Sequence, residues 1–95
     1  MVRVVHVRVG AEPEVKEVED DLKAYQALVG GYVEQVTLSN KLALVCDEEG
    51  RLTGKAFNGM VAGHDIRGDY FFIGLRGGNW RSLTEDEVKE VLSAT

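Results

Sequence analysis

Two adjacent glycines, Gly30-Gly31, mark the point at which the hydrophobic period of this chain changes. Before them Val15, Val18, Leu22, Tyr25 and Val29 recur at steps of three and four, which makes one apolar stripe along a helix. Glycine accepts the left-handed conformation that a helix C-terminus requires, so the pair predicts a helix end. Glu12-Pro13-Glu14 predicts the start, because proline lacks an N–H that would have no partner in the first turn. The acids that follow suit the positive end of the helix dipole. Glu12 with Lys16, and Glu19 with Lys23, have the spacing of i,i+4 ion pairs. The expectation is one helix over Pro13–Val29.

On both sides of this segment the period is two. Val5, Val7 and Val9 alternate with His6 and Arg8 in a valine-rich strand over residues 2–9. Val4 breaks the alternation, which implies a bulge or a strand covered on both faces. Tyr32–Leu38 and Lys41–Cys46 read as strands joined at Ser39-Asn40 by a tight hairpin. Asp47-Glu48-Glu49-Gly50 reads as a type I turn with its glycine left-handed, Arg51–Ala56 as a short strand, and Asn58-Gly59 with Gly63 as a loop. Asp69–Leu75 is the last and most apolar strand. Thr84-Glu85-Asp86-Glu87 is a capping box, flanked by Leu83 and Val88 as a hydrophobic staple. The predicted fold is α+β: a mostly antiparallel sheet of four to five strands, the Pro13–Val29 helix packed on one face, and a short C-terminal helix. A helix between the first two strands would allow that pairing to be parallel through a right-handed crossover. Residues 1–95 fit one domain.

Charge narrows the partners. The formal charge is −5, and residues 11–21 carry all of it, with six acids against Lys16. Duplex DNA requires a basic face, so the balance disfavours it. An acidic mimic of DNA requires carboxylates spread over a large surface, and here they sit on one segment. The N-terminus interleaves charged and apolar residues, unlike a signal peptide, and no apolar run approaches a membrane span. Cys46 is the single cysteine, so no internal disulfide forms, and the expected location is a reducing cytoplasm.

The segment Leu22-Lys-Ala-Tyr-Gln-Ala-Leu-Val-Gly-Gly-Tyr-Val-Glu34, followed by Leu44-Val-Cys-Asp-Glu-Glu-Gly-Arg-Leu52, resembles a small family known only as a domain of unknown function. The resemblance extends to Asn58, a later glycine-rich strand and the acidic C-terminal helix. Asp47 stands where many members have asparagine. Members are frequent in phages, plasmids and other mobile elements of bacteria, so the resemblance implies an accessory protein of such an element. It implies no reaction.

No residue pattern supplies a named chemistry. Asp47-Glu48-Glu49 lies in a hairpin turn, where successive side chains diverge, and lacks calcium-loop spacing. His64-Asp65 has no nucleophile beside it in sequence. Cys46 ends an apolar strand and precedes three acids, both unfavourable to a thiolate. Gly74 to Asn79 follows a strand but lacks the spacing of a phosphate loop. No metal or cofactor is implied. The strongest signal is regional: residues 51–81 hold five bases against Asp65 and Asp69, interleaved with aromatic and amide groups. Arginine forks and aromatic faces can hold an anionic planar ligand, and they also anchor protein interfaces. The candidate binding residues are therefore Arg67, Arg76 and Trp80, with Asn58 and His64 at the rim. The expected function is a non-catalytic binding module that sequesters or blocks a host macromolecule. The alternative is a binder of a nucleotide-like anionic small molecule, and a minimal enzyme ranks last. An open sheet edge would permit a homodimer.

Overall fold

In the computed structural model, which describes residues 1–95, the N-terminal valines form strand β1, Val2–Val7. Val4 belongs to the core on one side of the sheet and Val5 to the core on the other. The broken alternation therefore reflects burial on both faces.

The helix expected over Pro13–Val29 is two elements. Strand β2, Glu14–Val18, folds back antiparallel on β1, and helix α1 begins only at Leu22 and runs to Val29. The reason is cross-strand pairing. Glu17 lies opposite Arg3 and their side chains meet at 3.0 Å. Glu14 pairs with Arg8, and Lys16 Nζ lies 2.8 Å from His6 Nδ1. The charges that suit a helical first turn thus serve as partners for the bases on and just after β1, and Val15 and Val18 suit a strand equally well. Asp21 is the actual cap: its carboxylate accepts from the Ala24 N–H at 2.8 Å. At the other end Gly30 has φ +73°, and its N–H donates to the Gln26 carbonyl, as the glycine pair predicts.

The rest of the chain comprises β3 (Val33–Thr37), β4 (Leu42–Asp47), β5 (Phe57–Val61), β6 (His64–Arg67), β7 (Tyr70–Arg76), β8 (Asn79–Arg81) and α2 (Glu85–Ala94). The main sheet has six strands in the order β2-β1-β7-β4-β3, with β8 on β7, and β5 and β6 form a second sheet of two. A sheet of four to five strands is therefore too small, and every pairing is antiparallel, so no parallel crossover exists. Besides β2, two hairpins account for the extra strands. Gly77-Gly78 joins β7 to β8, and Ala62-Gly63 joins β5 to β6; all four residues have positive φ, as tight two-residue hairpin turns require. The segment expected as a strand, Arg51–Ala56, is turn over residues 51–54 and irregular after them, and the expected loop is the β5–β6 hairpin. Gly50 is not left-handed. It is glycine because a Cβ there would lie 2.8 Å from the Arg67 carbonyl oxygen.

The sheet is covered on both faces, not one. Helix α1 packs Tyr25, Leu28 and Val29 on Val4, Val45, Phe71 and Ile73. On the other face Ile66 of the hairpin, Leu83 and Val91 of α2 pack on Val5, Leu44 and Phe72. The central strands β7 and β4 therefore read as near-continuous apolar runs, and β1 is buried along most of its length. Helix α2 starts at the Thr84 cap with both bonds of the capping box formed. No helix is long and apolar enough to cross a membrane.

Candidate functional site

The five residues selected from the sequence fall in different places. Trp80 is a packing residue: its ring meets Tyr25 at 4.9 Å edge-on, and its Nε1–H donates to Gln35 Oε1 at 2.7 Å. Asn58 ties the β5–β6 hairpin to the sheet by donating to the Val7 and Gly68 carbonyls at 3.1 and 3.0 Å. Arg76 is exposed at the end of β7, in an open cleft with Lys41 and Arg81. Only His64 and Arg67 come together. With Arg51 they line a cavity of about 100 Å³ beside Cys46.

That cavity is not a basic one. Glu34, Asp47, Glu48 and Asp65 also line it. Arg67 is engaged by Asp65 through two hydrogen bonds of 3.0 and 3.2 Å, and its guanidinium lies over the Phe57 ring. Burial, with Glu34 and Asp47 nearby, pushes the Cys46 thiol up to about 11, so it remains a thiol near neutrality.

Two further bases of residues 51–81 are structural. Lys55 Nζ donates to the Val29 and Gly30 carbonyls, 2.9 and 3.0 Å away, and lies 2.6 Å from Asp47 Oδ2. Its three donors are all used, and it closes the C-terminus of α1. Asp47 turns inward to meet it, while Glu48 and Glu49 stay exposed, so the three carboxylates do not converge. Arg81 uses all five N–H donors, on the Leu75, Ser82 and Lys41 carbonyls and both oxygens of Glu87. Gly74 makes room for it: a Cβ there would lie 2.2 Å from its guanidinium nitrogen. The regional positive charge therefore does not form one face.

The sequence reading missed a groove. The tip of the β5–β6 hairpin and the end of α2 flank a cleft of about 420 Å³ above β4 and β7. Eight of its ten lining residues are hydrophobic, among them Leu38, Leu42, Met60, Val61, Phe72 and Val91, and Glu90 sits at its rim. Met60 is 61% exposed, a large apolar side chain with no cover. Reading residues 58–63 as a loop hid this site. The signal was present: Phe57–Val61 and His64–Arg67 flank Ala62-Gly63, a two-residue turn.

Fold and groove together define a small α+β domain with a two-sided core and one uncovered apolar cleft. Over residues 2–94 the chain matches the model of a family described as a domain of unknown function, DUF3846, and it belongs to that family. No curated protein and no solved structure matches it.

Proposed function

We propose that this domain is a non-catalytic binding module that holds an apolar segment of a partner protein in the groove between the β5–β6 hairpin and α2. The observation that carries the reading is the groove itself, with Met60 open to solvent at its edge. The partner segment is amphipathic and basic on its polar side. The reason is charge: Glu90 sits at the rim, and no lysine or arginine lines the groove. A helix or strand that inserts two or three apolar side chains fits a cleft of this size. The resemblance to domains of phages and other mobile elements supports a host protein as the partner and the host cytoplasm as the place of action. Sequestration or blockade follows from binding without chemistry. An anionic ligand is the weaker reading, because the candidate arginines are separated and Arg67 is already paired with Asp65.

Capture from host lysate tests this when three baits are compared. A partner that binds the wild type should be lost with Met60→Glu and retained with the Arg67→Ala, Arg76→Ala double variant. The opposite pattern would replace the groove with the basic residues as the site.

A further inference from the structure

The groove leaves one other feature unused, the open edge of the main sheet at β3. The backbone alternation there can be read directly. The Leu38 N–H donates to the Leu42 carbonyl, and the Glu48 N–H to the Tyr32 carbonyl, so the even-numbered residues of this stretch bond to β4. Val33, Gln35 and Thr37 therefore turn their N–H and C=O groups outward, and no turn or loop bond engages them.

Other edges are blunted. Strand β2 carries Glu14, Lys16 and Glu17 in five residues and follows Pro13. Strand β8 has three residues, and the β5–β6 pair contains a register shift. Strand β3 has none of these devices, and its single charge is Glu34.

We propose that β3 pairs antiparallel with β3 of a second copy of this chain, joining two sheets across a two-fold axis at Gln35. This register is self-complementary. Val33 of one chain lies opposite Thr37 of the other, Gln35 opposite Gln35, and Glu34 opposite Val36. All outward residues then find partners, and each outward pair exchanges two backbone hydrogen bonds. Tyr32, 64% exposed in the single chain, comes opposite Leu38 of the second copy. A register centred on Glu34 would oppose two carboxylates, and one centred on Val36 would pair Val33 with Ser39, whose N–H is already held by the Leu42 carbonyl. The dimer carries two grooves, which strengthens attachment to any partner that presents two segments.

Sedimentation at tens of micromolar chain tests the pairing. The wild type should show twice the 10.5 kDa mass of one chain. Gln35→Lys and Gln35→Glu each place like charges across the axis and should weaken self-association by at least about tenfold. An equimolar mixture of the two should recover the dimer, because lysine then faces glutamate. Thermal midpoints of the separate variants report on folding. A monomeric wild type would overturn the proposal, and so would a dimer that both variants leave intact or a mixture that fails to recover. These readouts do not depend on the groove, so the two readings fail separately.

Discussion

Lys55→Met removes one side chain that serves three acceptors. In the wild type the ammonium neutralises Asp47, whose side chain is 4% exposed, and closes the last carbonyls of α1. Methionine keeps the length of the stem and removes the charge. Breaking a buried ion pair from one side costs about 3–5 kcal/mol, because the remaining charge stays buried. Lys55 itself is 28% exposed, so water replaces part of what it supplied, and the Glu49 N–H still donates to Asp47. The expected loss is therefore about 2–3 kcal/mol, a large share of the roughly 5–15 kcal/mol that holds a domain folded. The pH dependence carries a second signature. Burial acts to raise the Asp47 pKa, but the bonds from Lys55 and the Glu49 N–H outweigh it and hold the group low. In the wild type Asp47 therefore contributes stability above its unfolded pKa, and that contribution disappears as pH falls through the lower folded value. Without Lys55, burial dominates and the folded pKa rises above the unfolded one, so ionised Asp47 destabilises the variant. The difference between the proteins should shrink as pH falls from neutral into the carboxylate range. Urea unfolding at a series of pH values measures both quantities. Adding Asp47→Asn to Lys55→Met should recover part of the loss, since a neutral amide is cheaper to bury. A loss under about 0.5 kcal/mol, the size of an ordinary surface change, would refute the reasoning, as would a difference that does not vary with pH.

Gly30→Val should cost about 1–2 kcal/mol in urea unfolding, because φ +73° strains any side chain and a Cβ would also lie 3.1 Å from Lys55 Nζ. His6 should stay neutral below its ordinary 6.5, since burial lowers its pKa and the nearby Lys16 ammonium adds to this against the opposing pull of the Leu28 carbonyl. Lys16 can only donate, so His6 Nδ1 accepts and Nε2–H donates to Leu28; NMR titration should show this tautomer, and wild-type stability should fall as pH drops below 6.5 toward the folded pKa. Arg81→Lys should cost about 2–3 kcal/mol, because three donors cannot replace five. In the wild type the Arg81 bonds hold Glu87 at about 2, so its contribution is present above 4.5 and lost as pH falls toward 2; in the variant, thermal unfolding should show that dependence reduced.

Local chemistry in the sequence determined the punctuation of this fold. Gly30 ends α1 because its backbone conformation excludes a Cβ, and Thr84 opens α2 because its hydroxyl and Glu87 satisfy free N–H groups at once. Both are short-range facts, readable from a few neighbours. The broken alternation at Val4 admitted either a bulge or a strand covered on both faces, and the two cores decide for the second. The character of residues 14–18 was not legible in this way. Glu-Val-Lys-Glu-Val satisfies a helix and a strand alike, and the choice rests on Arg3, His6 and Arg8, which the hairpin brings alongside. The candidate site followed the same division. A sequence shows how many bases a segment holds, but only the folded chain shows that Lys55 and Arg81 spend every donor inside it, and that Met60 and Val61 lie across from α2. Charge and hydrophobicity belong to residues, whereas exposure belongs to their neighbours, and for this chain those neighbours are mostly distant in sequence.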